Sequence, residues 1–263
     1  MPDPLILVPL LLAAGVLAGG LAGLLGLGGG LVIVPVLYWL LRWQGFSGEI
    51  AMPVAVATSL ATMVLTTAAS AWTHWQQGTT RRDLLPWLLP GMALGGCLAP
   101  LVTVRVSATL LTAIFSGFLF FVAWRMLLPQ RAPERTGHAS RPELFLGGAA
   151  VASLSAMIGV GGGILTVPWM QWRGLAMAQA VALSITGLMA AAFCASLVYA
   201  LLPGDVELAG TVGLVHWPSV LLIAISSMLS ARAAARLAPR VKDSLLRRAF
   251  AGVLMVVGVI MLL

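Results

Sequence analysis

The sequence predicts an all-α integral membrane protein built from two inverted repeats, each of about four spanning helices plus a half-helix after a triple-glycine bend. Three observations carry that prediction. The chain is 60% hydrophobic and only 9% charged, with a mean hydropathy of +1.02, whereas ordinary soluble domains carry about 25% charged residues. Its apolar stretches run through the same five-part order twice. One short string also occurs twice, as GLGGGLVIVP at 26–35 and GVGGGILTVP at 159–168.

In chain order, the first apolar stretch covers about 5–25 and follows Asp3 with no basic residue ahead of it. That start reads as a retained helix rather than a cleavable signal. Stretches at about 31–41, 51–73, 86–104 and 108–128 follow. The polar run RAPERTGHASRPE at 131–143 interrupts them, and apolar stretches resume at about 144–158, 164–172, 177–202, 215–238 and 249–263. A helix needs about 20 apolar residues to cross the hydrocarbon layer. Stretches 51–73, 86–104, 108–128, 177–202 and 215–238 are long enough. Segment 31–41 would rise only about 16 Å and 164–172 less, so each reads as a half-helix following a Gly bend near mid-membrane. Irregular backbone at that depth survives only where protein or water covers it. Pro35 and Pro168 either start these half-helices or kink them.

The two glycine strings align at an offset of 133 residues, and AVATS at 55–59 then aligns with AVALS at 180–184. Phe115-Ser116-Gly117 matches Phe250-Ala251-Gly252. The expected organisation is a first transmembrane repeat over 1–128, a cytoplasmic linker over 129–143 and a second repeat over 144–263. Loop charge sets the orientation. Arginines at 125, 131, 135 and 141, at 81 and 82, and at 232, 236, 240, 247 and 248 with Lys242 place those loops in the cytoplasm. The 203–215 loop, with Asp205 and Glu207 and no base, belongs outside. Corresponding loops of the two halves thus face opposite sides. That is an inverted repeat, the arrangement of many secondary transporters, whose sites lie where the halves meet.

The net charge of +7 would suggest nucleic acid in a soluble chain. Here the arginines sit between apolar segments, so topology accounts for them, and the expected partners are the lipid bilayer and a small anionic substrate. Cys97 and Cys194 form no CxxC pair and no metal-ligand spacing, and read as small buried residues. No cofactor or metal site is expected. The tryptophans, among them Trp39, Trp43, Trp72, Trp75 and Trp217, fall near segment ends, as interface anchors do.

The candidate site rests on the glycines. Gly28, Gly29 and Gly30, and Gly161, Gly162 and Gly163, strip side chains from the backbone just before a helix begins. A helix start presents unpaired amides and a partial positive charge, a ready anion site. Close helix packing would explain one such run; two in register favour a shared role. Thr58, Thr62, Thr66, Ser70 and His74 recur every four residues and share a helix face, with Ser59 beside Thr58. Bonding to the i−4 carbonyl is the plain alternative for these hydroxyls. The second half offers Gln179, Ser184 and Thr186. All eight acidic residues fall in loops or at segment ends, so an anion would be held by amides, hydroxyls and dipoles, not by paired charges. His74 reads as an interfacial residue, and His138 and His216 as loop residues.

With both glycine strings and Ala57-Thr58-Ser59 in view, the chain resembles the TauE/SafE family of sulfite exporters, also called YfcA-like or DUF81 permeases. The run LAPRVKDSLLRRAFAGVLMVVG before the last helix is also similar to the family's ending. In the second half the signature reads Ala182-Leu183-Ser184 and lacks the threonine. The resemblance implies a multi-pass protein of the bacterial plasma membrane that transports sulfite, sulfoacetate or other organosulfonates. Substrate binding would fall to Gly28, Gly29, Gly30, Thr58, Ser59, Thr62, Gly161, Gly162, Gly163 and Ser184. The alternatives are a carrier of another small carboxylate or inorganic anion, or a membrane-embedded sulfur-transfer enzyme using a cysteine, which would need a base or metal in reach. Direction, coupling to protons or sodium, and oligomeric state are left open.

Overall fold

A computed structural model describes residues 4–25, 29–128, 140–160, 162–203, 208–237 and 243–262. Over these the chain forms ten helices: α1 Pro4–Leu25, α2 Gly30–Trp43, α3 Gly48–Gln76, α4 Leu85–Thr103, α5 Ala108–Leu127, α6 Arg141–Ile158, α7 Gly163–Trp172, α8 Met177–Leu201, α9 Trp217–Leu237 and α10 Asp243–Leu262. The all-α class holds. Between α8 and α9 lies one small addition, an antiparallel hairpin of β1 Thr211–Val212 and β2 Val215–His216. The apolar stretch read as starting at 215 therefore opens as a strand, and helix begins only at Trp217. Arg141 and Glu143, read as linker, form the first turn of α6; residues 129–139 of that linker lie outside the described residues.

Helices α3, α4, α5 and α8 are long and apolar enough to cross a membrane by length and composition. Helices α2 and α7 have 14 and 10 residues, which at about 1.5 Å per residue gives roughly 21 and 15 Å. Each begins directly on its glycine string. Pro35 and Pro168 both stand sixth in their helix, so neither opens it; each removes an amide from the second turn.

Helix α3 forms the centre, with every residue from Ala51 to Met63 buried. A helix apolar all round has to be enclosed by others, and this stretch is mostly Ala, Val, Thr, Ser and Met, small or slim enough for close approach. Two packing relations exchange helices between the earlier and later parts of the chain. Helix α1 packs on α9, and α4 packs on α6 and α8. Both use glycines one turn apart: a Cβ on Gly15 or Gly19 would collide with Ile223 and Ser226 or Ser227 of α9, and one on Gly91 or Gly95 with Phe145 or Ala149 of α6. Helices α3 and α8 also cross each other, as do α5 and α10. The outer surface is apolar, and Trp39, Trp43, Trp72, Trp124 and Trp172 are exposed on it, as lipid-facing anchors would be.

Candidate functional site

The two glycine strings meet. A Cβ on Gly30, the first residue of α2, would stand 2.5 Å from the Gly159 carbonyl oxygen and 2.9 Å from Val160 Cα. Gly159 ends α6 in the left-handed conformation, φ +72°, which suits glycine because it has no Cβ to clash. A Cβ there would also press on Val34 and Val56 of α2 and α3, at 2.9 and 3.0 Å. Ser59 Oγ donates to the same Gly159 carbonyl at 2.9 Å. Thus the start of α2, the middle of α3 and the entry to the second string are locked together by backbone contact and one buried hydrogen bond.

The expected hydroxyl stripe on α3 is present but turned inward on itself. Thr62 Oγ1 donates to the Thr58 carbonyl at 2.9 Å, Thr66 Oγ1 to the Met63 carbonyl at 3.2 Å and Ser70 Oγ to the Thr66 carbonyl at 3.2 Å. These bonds satisfy the hydroxyls locally. Thr58 Oγ1 accepts the His216 amide at 3.1 Å. His74, half-buried at the end of α3, shares a contact of 3.1 Å between Nδ1 and Thr79 Oγ1, which agrees with an interfacial position.

His216 differs from its reading as a loop residue. It lies on β2, is buried, and places Nδ1 2.7 Å from Ser219 Oγ. Burial pushes its imidazole below the ordinary histidine range, and a contact with the Ala209 backbone only partly offsets this. A small cleft beside it is lined by Leu37, Gln44, Thr58, His216 and Ser219. No periodicity marks His216 in the sequence; the hairpin that carries it inward has only two residues per strand.

In the second half, Gln179 is used to cap α8, its Oε1 accepting the Ala176 amide at 3.3 Å, and Thr186 donates to the Ala182 carbonyl at 2.8 Å. Ser184 is different: it is buried, and its Oγ has no hydrogen-bond partner among the described residues. A Cβ on Gly163 would lie 3.7 Å from that oxygen. Ser155 of α6, which sequence reasoning passed over, is likewise buried without a partner, its Oγ 2.7 Å from where a Gly162 Cβ would be. The signal for it is a serine four residues before the string, in a stretch that also holds Ser153. Gly28 and Gly161 lie outside the described residues.

The two cysteines are neither isolated nor fully buried. Cys97 of α4 and Cys194 of α8 are half-buried and lie near each other on two packed helices. Gly96 brings them together, because a Cβ there would collide with the backbone of Ala191. Among the described residues no cluster of three or more His, Cys, Asp or Glu could hold a metal.

The chain is similar to a probable membrane transporter protein of Haemophilus influenzae, 31% identical over 97% of both chains. It is also similar to a probable membrane transporter protein of Methanocaldococcus jannaschii, 25% identical over 98% of this chain and 97% of that one. No solved structure matches it. The family described as sulfite exporter TauE/SafE matches residues 11–261. With its enclosed α3, its paired glycine strings and its two short helices, this membrane transporter belongs to the TauE/SafE family.

Proposed function

We propose that the protein is a secondary transporter that moves a small sulfur-containing anion, such as sulfite, sulfoacetate or another organosulfonate, across the plasma membrane of a bacterium by alternating access. The observation that carries this reading is the contact of Gly30, the first residue of α2, with Gly159 and Val160, four and three residues before α7 begins. Helix starts offer amides and a partial charge of about +0.5, and short broken helices near the midplane are how many carriers hold ions. The exchange of α1 onto α9 and of α4 onto α6 supports an inverted repeat with the halves 1–128 and 144–263. Rocking of one half against the other would then open the centre to alternate sides. The chain's own residues bind and orient the anion; no bond is made or broken.

The test is a substrate panel in proteoliposomes containing the purified full-length protein. Sulfite, sulfoacetate, methanesulfonate, small carboxylates and inorganic anions are offered in turn. Saturable exchange of the sulfur oxyanions, in preference to carboxylates of equal size, supports the reading. Preferred exchange of a carboxylate would move the protein to the other class of anion carrier. Absence of any anion flux would end the reading.

A further inference from the structure

The starts of α2 and α7 occupy equivalent places in the two strings but have unlike linings. At Gly29 an added Cβ would meet Ala18 Cβ at 3.2 Å and Ile33 Cδ1 at 3.3 Å. At Gly162, the equivalent position, it would meet Ser155 Oγ at 2.7 Å and Thr166 Oγ1 at 3.5 Å. Thr166 replaces Ile33 in the aligned string, its own Oγ1 donating to the Gly162 carbonyl at 2.9 Å. Ser184 Oγ adds a third hydroxyl beside Gly163. One helix start is lined by apolar side chains and backbone carbonyl oxygens, the other by hydroxyls.

Ser155 and Ser184 are 3% and 1% exposed, and neither hydroxyl has a partner among the described residues. A buried polar group left unpaired costs about 1–3 kcal/mol, so two together at one helix start point to an acceptor that comes and goes. The amides of Gly163 and Ile164 precede the helix's own bonding, which begins with Leu165 and Thr166 donating to the Gly162 carbonyl. All these groups donate. None carries a full charge.

Formal charges are remote from this point. Helices α6 and α8 pack against α7. On α6 the charges are Arg141 and Glu143 at its far start, Glu143 being twelve residues from Ser155, about 18 Å along the helix. Just past the opposite end of α7 the charge is Arg173, its C-cap, paired with Glu143. Helix α8 carries no charged residue, and its titratable Cys194 and Tyr199 lie ten and fifteen residues beyond Ser184, about 15 Å or more along the helix. His216 reaches α3 at Thr58 and turns its ring to Ser219. The desolvation penalty of an ion grows steeply with its charge, and a half charge from a helix dipole compensates one negative charge far better than two.

Resting on the transporter reading above, we propose that the start of α7, with Ser155 and Ser184 as hydroxyl donors, is an oxyanion site selective for singly charged sulfur oxyanions. It takes hydrogen sulfite or a sulfonate with no second acidic group and rejects the sulfite and sulfate dianions, so of the candidates above it excludes sulfoacetate, which is doubly charged at neutral pH. The pH dependence of sulfite binding then comes from the ionisation of the substrate, not of the protein.

The experiment is thermal-shift binding to the purified full-length protein with three probes, read from mildly acid to mildly alkaline pH. Methanesulfonate keeps one charge throughout, sulfate keeps two, and sulfite passes from one to two near neutrality. The expected result is a methanesulfonate affinity that stays constant with pH, no sulfate binding, and a sulfite affinity that falls about tenfold per pH unit above its second ionisation, in step with the monoanion fraction. The double variant Ser155→Ala/Ser184→Ala should lose methanesulfonate binding while melting, without anion, no lower than wild type. Sulfate binding as tight as methanesulfonate, sulfite binding that persists in alkali, or unchanged affinity in the double variant would each overturn the proposal. Overturned in this way while the vesicles still exchange sulfur oxyanions, the proposal fails alone; if the vesicles exchange no anion, the transporter reading fails with it.

Discussion

Thr58 Oγ1 accepts the His216 amide across 158 positions of sequence, so its loss should register first in stability. Thr58→Val leaves a buried amide without an acceptor and should cost about 1–3 kcal/mol, read as a lowered melting temperature in detergent. Thr62→Val removes only a bond to its own helix and should cost less. The four-residue spacing on α3 was legible and correctly named a shared face. It could not show which way each hydroxyl proton points, and the same spacing serves a ligand or the i−4 carbonyl equally well. His216 makes a pH prediction. Held neutral by burial, it binds fewer protons folded than unfolded, so stability should fall as pH drops below about 6.5 and level off beneath the folded value. Melting curves across pH test this: His216→Asn should flatten the acid limb, and an unchanged limb would remove His216 as its cause.

At the scale of elements, α2 and α7 could be read from the sequence because the features that define them are local: three glycines, a short apolar run and a proline. The hairpin at 211–216 could not, since two residues per strand carry no alternation to detect. Meeting of the strings is also a tertiary fact, and it separates two substitutions that look alike in sequence. Gly30→Ala would drive a Cβ against the Gly159 carbonyl and Val160 Cα, at 2.5 and 2.9 Å, where backbone has to move; the protein should fail to accumulate in the membrane. Gly162→Ala meets the Ser155 hydroxyl instead, and that side chain can rotate away. It should fold and lose anion affinity, as saturation binding on the membrane-inserted protein would show. The nearness of Cys97 and Cys194 arises in the same way, from Gly96 letting α4 approach α8. Mild oxidation with a dipyridyl disulfide should join them within one chain, shown by a mass lower by two hydrogens with no pyridyl adduct. Adducts retained on both thiols would show that the side chains do not reach bonding geometry.

Over the whole molecule, the chain is stitched by exchange: α1 rests on α9 and α4 on α6 and α8, while α3 and α8 cross at the centre. Close approach through small residues and van der Waals contact holds such a bundle in lipid, where apolar surface gains nothing from hiding. The all-α membrane class and the two short helices that begin on the glycine strings were legible because composition, segment lengths and the two strings agree. The unequal lining of the two helix starts depends on single residues, Thr166 against Ile33, and on the packing that brings Ser155 and Ser184 to α7. The most direct measurement is exchange of radiolabelled sulfite across proteoliposomes by wild type and by Gly162→Leu, at matched amounts of inserted protein. A side chain at Gly162 should block the amides and hydroxyls of the α7 start, so wild type should exchange sulfite and the variant should not. Equal flux from both would mean that the glycine string serves only to pack helices.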